Sequence, residues 1–253
     1  MMRPEALLLA AAAAVAAGLI GCFAVMRRMA LAADALSHVA LPGIGIALAL
    51  RVHPLFGAVT MLFFGALLVW ALDDRSRLTT ETIIGVVFSA ALAIGSMLAS
   101  GEDLIDALFG HAGTLSWPEA VFGLAVSAAV VVFVVRRKND LVVTLVSPDM
   151  ARTAGIDIRR LDLLYLQMFA LTIALGLRYL GVLLMGSLVI IPAATAKRLS
   201  NNLTQMLLMA AIVALVVTVL GTYLAVWLHR ESGSLIVTLA VGVFFLSLWR
   251  RRS

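Results

Sequence analysis

The sequence predicts an all-α fold: a polytopic integral membrane bundle of eight or nine transmembrane helices. Residues of the apolar set A, V, I, L, M, F, W, Y and C make up 63% of the 253 positions, and charged residues only 13%, about half the share of a soluble domain. The mean hydropathy is +1.09. So few charged side chains cannot cover a soluble domain of this size. The apolar residues also come in long runs separated by short basic clusters, as in multi-pass membrane proteins.

A helix crosses a bilayer with about 17–25 predominantly apolar residues. Some of the runs found here are short and contain Gly or Pro, which are tolerated at lipid depth where neighbouring helices satisfy the backbone. We therefore expect eight or nine crossings in a single transmembrane domain over residues 1–253, with a long inner loop at about 136–160. The runs are 5–26, 29–50, 54–72, 82–100, 118–135, 161–177, 180–196, 203–228 and 235–249.

Basic residues predict the orientation, because cytoplasmic loops are enriched in Arg and Lys. Of the 19 basic residues, 15 fall in one alternating set of gaps, and the other set holds only Arg3, Arg51, Arg178 and Arg230. This asymmetry predicts an N-terminus outside and a C-terminus in the cytoplasm. It also means that the net charge of +5 reflects topology and does not indicate nucleic-acid binding.

The outer side predicted in this way is acidic and carries three of the four histidines. Such a surface suits a cationic solute or a protein that delivers one, although outer loops are often simply polar. Its members are His53, His111, His229, Glu102, Asp103, Asp106 and Glu231.

The fourth histidine, His38, lies inside an apolar run, four residues after Asp34. In a helix this spacing places both side chains on one face, with Ser37 beside them. A charged side chain within a membrane costs roughly 2.5–3.5 kcal/mol on insertion scales, so it marks a transport path by default. Carboxylate and imidazole suit Zn²⁺, Mn²⁺ and Fe²⁺. Two ligands are too few for a closed site, and the alternative is a hydrogen-bonded pair that stabilises packing.

Prolines interrupt two of the predicted helices. Pro42 and Gly43 follow the Asp–His pair and would kink or open the helix, which predicts either a gate in a path or a site of close packing. Pro192, Ala193 and Ala194 combine a mid-helix proline with small residues, which let backbones approach closely. We expect this second segment to be a packing surface or an interface between subunits.

The long inner loop carries a short helix signal. Ser147 is a predicted N-cap, Pro148 the first helical residue and Gly155 the C-terminal stop. A helix of under two turns is not stable alone and would gain from docking into a partner's groove. The alternative is a passive connector.

One motif is absent from the sequence, and two other interpretations of it have less support. No Gly-Lys pair occurs, so the chain has no Walker A loop and any ATP-dependent step requires another subunit. Ser187 with His38 would suit an intramembrane hydrolase, but no Gly-x-Ser-x-Gly elbow supports it. Leu19 to Cys22 match a lipoprotein cleavage motif, although the apolar run continues beyond Cys22 to Met26 without a break.

The stretch Arg27–Gly43, RRMALAADALSHVALPG, resembles a hallmark of the membrane-permease subunits of bacterial ABC importers for zinc, manganese and iron(II). Ala30 and Ala33 stand where the family usually has Ser and Gly, and neither change removes a ligand. Four further segments are similar to the family in the same order, so the likeness covers essentially the whole chain. They are Thr80–Gly85 (TETIIG), Pro148–Gly155 (PDMARTAG), Leu188–Ala196 (LVIIPAATA) and Ser232–Gly233.

The resemblance implies a homodimeric or pseudo-dimeric permease that contacts cytoplasmic ATP-binding subunits and receives metal from an extracytoplasmic binding protein. In the family, the Asp and His of this motif are associated with the metal path, which here means Asp34 and His38. The inner loop would be the element that couples the permease to the ATPase. The residues expected to take part in that coupling are Pro148, Asp149, Met150, Ala151, Ala154 and Gly155.

The same resemblance predicts a location and a cargo. We expect a transport subunit rather than an enzyme, in the bacterial cytoplasmic membrane, with no stably bound cofactor and with a Zn, Mn or Fe(II) ion as the transported species. The alternative is a permease for a metal chelate or a vitamin, which would need a wider path and no protein ligands to the metal.

Overall fold

The computed structural model describes residues 4–73, 75–76, 78–98, 117–180 and 182–249. Helices make up most of these ranges, and no strand occurs within them. In chain order the helices are α1 Pro4–Met26, α2 Ala32–Ala49, α3 Pro54–Asp73, α4 Thr80–Leu98, α5 Trp117–Val146, α6 Pro148–Thr153, α7 Ile158–Leu180, α8 Val182–Leu199, α9 Leu203–Leu228 and α10 Ser232–Trp249.

Among the described residues, eight helices are long and apolar enough to cross a membrane, namely α1–α5, α7, α9 and α10. The all-α membrane fold is therefore confirmed. Helix α8 lies outside that set, and its last turn carries Lys197 and Arg198. A methyl group on Gly176 of α7 would overlap the side chain of Met185 of α8. Residues nine positions apart in one straight helix would be about 13 Å apart along its axis, so α7 and α8 do not form one continuous straight helix.

Helix α5 is longer than its apolar run. Its 30 residues correspond to about 45 Å, well beyond the roughly 30 Å hydrocarbon core of a bilayer. The run predicted at 118–135 continues as a helix through the basic residues 136–138 to Val146. Much of the segment predicted as an inner loop at 136–160 is therefore helical, and α5 carries the chain past the membrane boundary to α6.

Helix α1 is the most buried of the candidate spans, with 67% of its apolar window inside the bundle, against 17% for α10. Small residues make this possible, because a methyl group on Gly21 would overlap the Val189 carbonyl of α8. Cys22 is fully buried, with Sγ 3.9 Å from the carbonyl oxygen of Met206 on α9. A lipoprotein beginning at Cys22 would lack most of this central helix, so the packing argues against that reading.

Candidate functional site

Asp34 and His38 both lie on α2, one turn apart, as predicted from their spacing. Helix α2 begins at Ala32, so Asp34 stands in its first turn, where the positive end of the helix dipole favours a carboxylate. Asp34 is exposed on the surface of the single chain, whereas His38 is partly buried. Within the described residues no group of three or more His, Cys, Asp and Glu could hold a metal ion. The pair therefore offers two ligands, and any others come from elsewhere.

Gly186 of α8 makes room for Asp34. A methyl group on Gly186 would lie 3.1 Å from Cβ and 3.2 Å from Oδ1 of Asp34, closer than side chains usually approach. No local sequence pattern indicates this glycine, because its contact with α2 spans about 150 residues of chain. Gly186 therefore belongs to the site.

His38 faces the neighbouring helix α4. Its ring lies 5.5 Å from the ring of Phe88, centroid to centroid, with the planes inclined by 58°. The Nδ1 atom of His38 is buried and has no hydrogen-bond partner among the described residues. Ser37, which the sequence placed beside the pair, is fully buried, and its hydroxyl donates to the Asp34 carbonyl at 2.6 Å. The Ser37 hydroxyl is thus engaged by the backbone of its own helix.

Pro42 and Gly43 lie where α2 meets two neighbours, and α2 runs through both without a break. A methyl group on Gly43 would overlap the Gly57 carbonyl of α3. On another side of α2, a methyl group on Gly95 of α4 would lie 3.3 Å from Cδ of Pro42. Both residues therefore support close packing of α2 in this structure, and their predicted role as a gate remains a prediction.

The predicted short helix is present as α6, Pro148–Thr153. The Ser147 hydroxyl accepts a hydrogen bond from the Met150 N–H at 3.3 Å, and Pro148 occupies the first helical position, where its missing N–H has no cost. Gly155 has a φ of +76°, and the Ile156 N–H bonds back to the Ala151 carbonyl at 3.0 Å. This closing turn needs the left-handed conformation that glycine adopts most easily.

One side of α6 is buried against the bundle, and the rest of the helix is exposed. Ala151 is fully buried against its own chain, so it can take part in coupling by holding α6 to the bundle. The side chain of Met150 is 64% exposed, a high value for a large apolar residue. The other residues predicted to take part in coupling are also exposed, namely Pro148, Asp149, Ala154 and Gly155.

The second proline segment is packed inside the chain. Pro192 and Ala193 of α8 are buried and Ala194 is partly buried, so the single chain already covers most of this surface.

The outer histidines are only partly described. His53 lies just before α3, and its Nδ1 accepts a hydrogen bond from the Leu55 N–H at 3.3 Å. His229 ends α9 in a left-handed conformation, with a φ of +54°. The predicted outer residues Glu102, Asp103, Asp106 and His111 lie outside the described ranges.

These features define a multi-pass helical transport permease, with a carboxylate–imidazole pair in an apolar helix and a short exposed helix at one end of the bundle. The chain belongs to the ABC 3 transport family, whose model matches residues 1–251.

Several relatives are similar over nearly the whole chain. The manganese transport system membrane protein MntC of Listeria innocua is 30% identical over 96% of this chain and 88% of its own length. The high-affinity zinc uptake system membrane protein ZnuB of Haemophilus influenzae is 29% identical over 92% of this chain and 91% of its own. Among solved structures, PsaBC from Streptococcus pneumoniae in complex with Fab matches with a TM-score of 0.82 and 27% identity. That match covers 96% of this chain and 90% of the other.

Proposed function

We propose that this chain is the permease subunit of an importer that moves a divalent transition-metal ion, Zn²⁺, Mn²⁺ or Fe²⁺, into the bacterial cytoplasm. Separate ATP-binding subunits supply the energy. Two relatives named for manganese and zinc transport support the substrate class. A carboxylate and an imidazole are the ligand types that such ions accept.

One observation carries the proposal: the carboxylate of Asp34 is exposed on the surface of an apolar helix. An ionised carboxylate does not face lipid at low cost, so Asp34 faces a water-filled path or another protein chain. His38 stands one turn further along α2, and together they would ligate an ion transiently. Water and a second copy of the chain would supply the remaining ligands.

The exposure of Asp34 also supports a homodimer. If two copies meet with their α2 helices facing each other, both carboxylates leave the lipid and four ligands from the two chains surround one path. The partly open faces of α4 and α10, with 28% and 17% of their apolar windows buried, leave ample surface for a second copy and for lipid.

Helix α6 would dock onto the ATP-binding subunit. Its anchored side, at Ala151, fixes it to the bundle, and its open side presents Asp149 and Met150 to a partner. An extracytoplasmic binding protein would deliver the ion to the opposite end. ATP-driven movement of α6 would then switch access to the path from outside to inside.

The test is metal uptake by proteoliposomes that contain the permease, the ATP-binding subunit and the binding protein. Uptake of Zn²⁺, Mn²⁺ and Fe²⁺ would be compared for wild type, Asp34→Asn and His38→Ala. Matched controls are Asp140→Asn, in the inner extension of α5, and His53→Ala, before α3. Assembly is checked by co-purification of the ATP-binding subunit.

We expect both site variants to abolish uptake while the complex still assembles and both controls transport. The ion that wild type prefers then identifies the cargo. Intact uptake in both site variants would show that the pair is structural. Uptake of a metal chelate or vitamin in preference to the free ions would show that the substrate class is wrong.

A further inference from the structure

A partly buried ion pair joins the end of α1 to the start of α7. Nη1 of Arg27 lies 2.7 Å from Oδ1 of Asp162, and the two side chains are 13% and 27% exposed. The guanidinium carbon of Arg27 also lies 4.5 Å from the centre of the Tyr165 ring. The hydroxyl of Tyr165 in turn donates to the Ile20 carbonyl of α1 at 3.4 Å. Arg27 thus holds two successive turns of α7 against α1.

The ion pair lies between the two functional elements in the chain. Arg27 begins the five-residue link, 27–31, that connects α1 to α2 and ends three residues before Asp34. Asp162 lies in the second turn of α7, which starts just after the segment 154–157 that leaves α6. A displacement of α6 therefore reaches the start of α7 first and, through Arg27, the link that positions α2.

The start of α7 is attached to α3 as well. The Trp70 indole N–H donates to the Arg159 carbonyl at 2.9 Å, and the Arg159 guanidinium lies 4.6 Å from the Trp70 ring centre. Beside this contact is a polar cleft of about 480 Å³ whose lining includes Asp73, Arg152 and Asp162. The cleft leaves space for α6 to move relative to α3, and the first turn of α7 can follow only if the Trp70 side chain moves with Arg159.

The contribution of this ion pair to the stability of the fold does not by itself explain its presence. Nε and Nη2 of Arg27 and Oδ1 of Asp162 are buried, and none of these three atoms makes a hydrogen bond among the described residues. A buried pair with unsatisfied donors is often no more stable than apolar residues of similar size. Its distinctive property is directional: an ion pair with a stacked guanidinium fixes the relative position of two backbones.

We propose that Arg27 and Asp162 are positioning residues that transmit the movement of α6 to the Asp34–His38 pair. This inference rests on the proposed function, since it requires a metal path at α2 and an ATP-binding subunit at α6. Without the ion pair, the subunit would still hydrolyse ATP and the site would still bind metal. The two events would no longer be linked.

The experiment measures metal uptake and ATP hydrolysis in the same proteoliposomes, which hold the full complex and binding protein. The readout is the number of metal ions moved per ATP. The main variant is the double substitution Arg27→Met with Asp162→Leu, which leaves no unpaired buried charge and so preserves assembly. Arg27→Ala, Asp162→Asn and the exchange Arg27→Asp with Asp162→Arg accompany it. The control is Arg160→Ala, which removes a nearby side chain that is 85% exposed.

We expect the double variant and both single variants to move about tenfold fewer metal ions per ATP, a typical size for a lost coupling. In the double variant, equilibrium metal binding and co-purification should stay at the wild-type level. The exchange variant should recover much of the wild-type number of metal ions per ATP, and Arg160→Ala should have the wild-type number.

A double variant with the wild-type ratio would overturn the proposal, however the single variants behave. A double variant that does not assemble would also overturn it, because the pair would then be a structural brace. These outcomes differ from failure of the proposed function, in which the wild-type complex itself moves no divalent metal ion.

Discussion

Gly43 of α2 and Gly57 of α3 are in direct backbone contact: a side-chain carbon on either would overlap the carbonyl oxygen of the other. Three further glycines line α2: Gly65 of α3 at Val39, Gly95 of α4 at Pro42 and Gly186 of α8 at Asp34. Small residues allow such close approach, and in a membrane this van der Waals packing is a main source of helix association. The helix that carries the Asp–His pair is therefore positioned by glycine contacts on three neighbours.

Substitution of Gly57 by Ala is expected to destabilise the protein. The new methyl group would overlap the Gly43 carbonyl and lie 2.7 Å from Cβ of Ala47, so α2 and α3 would have to separate. Overpacking of this kind costs about 1–3 kcal/mol. Thermal unfolding of the purified protein in detergent should show a lower midpoint than for wild type.

Gly242→Ala is the matched control for that measurement. Gly242 lies in helix α10, where a methyl group would meet nothing within 4 Å, so its unfolding midpoint should equal or exceed that of wild type. Equal midpoints for Gly57→Ala and wild type would show that α2 and α3 can separate without cost.

Apolar runs and helix caps predicted the helices well, because each of these signals depends on residues close together in the chain. The run predicted at 203–228 is α9 at the same bounds, and the Ser147 cap and Gly155 stop of α6 have the predicted geometry. The inner end of α5 was predicted as loop because residues 136–138 are charged. Hydropathy indicates which residues lie in lipid. It does not indicate where a helix ends, so the helical part of α5 beyond the membrane was missed.

Contacts between distant helices could not be predicted in the same way. Gly186 beside Asp34 and Asp162 beside Arg27 join residues more than 130 positions apart. A run of apolar residues does not indicate which face meets which neighbour, since lipid and protein interior are equally apolar. The sequence therefore identified the Asp–His pair by its spacing and missed the residues that shape its surroundings.

Enlarging Gly186 should impair transport more than stability. In Gly186→Ala the methyl group would lie 3.1 Å from Cβ, 3.2 Å from Oδ1 and 3.3 Å from Cα of Asp34. The carboxylate can turn away, whereas the start of α2 has to shift slightly, by a fraction of an ångström. A ligand displaced by about 1 Å can reduce the rate of a step about a hundredfold, so uptake should fall clearly. Gly186→Leu should abolish it.

The measurement is metal uptake in proteoliposomes, alongside the unfolding midpoint of each variant. Gly85→Ala on α4, where a methyl group meets nothing within 4 Å, is the control and should transport normally. If Gly186→Leu transports at the wild-type rate, Asp34 does not need the space that Gly186 provides.

Met150→Glu should weaken binding of the ATP-binding subunit without unfolding the permease. The Met150 side chain is 64% exposed, so a charge there costs the isolated chain little. Within a desolvated interface, loss of an apolar anchor costs about 2 kcal/mol, or roughly thirtyfold in affinity. Co-purification of the subunit with tagged permease would measure the loss.

Leu78→Glu is the comparison for that substitution. Leu78 is a similarly exposed apolar residue, 56% exposed, in the link between α3 and α4. Its substitution should leave co-purification unchanged. Equal losses for the two variants would show that α6 is not the preferred docking element.

Arg198→Ala should destabilise the end of the bundle. The guanidinium of Arg198, in the last turn of α8, donates from Nε to the Ser247 carbonyl at 3.1 Å and from Nη2 to the Leu248 carbonyl at 3.0 Å. Both carbonyls belong to the last residues that the structure describes in α10, and Arg198 bonds the two of them at once. Hydrogen bonds to a charged group contribute about 1.5–3 kcal/mol. The alanine variant should therefore unfold at a lower temperature than wild type.

Arg198→Lys separates charge from geometry in the same unfolding assay. A lysine keeps the cation near the end of α10 but lacks the planar fork that reaches two carbonyl groups at once. Its midpoint should fall between those of Arg198→Ala and wild type, whereas Arg160→Ala, which removes an exposed basic residue, should leave the midpoint unchanged. If Arg198→Lys has the same unfolding midpoint as wild type, the positive charge alone provides the stabilisation. If Arg198→Ala also has the wild-type unfolding midpoint, the two hydrogen bonds contribute no net stability. Helix α10 is then held by its apolar contacts with α8 and α9.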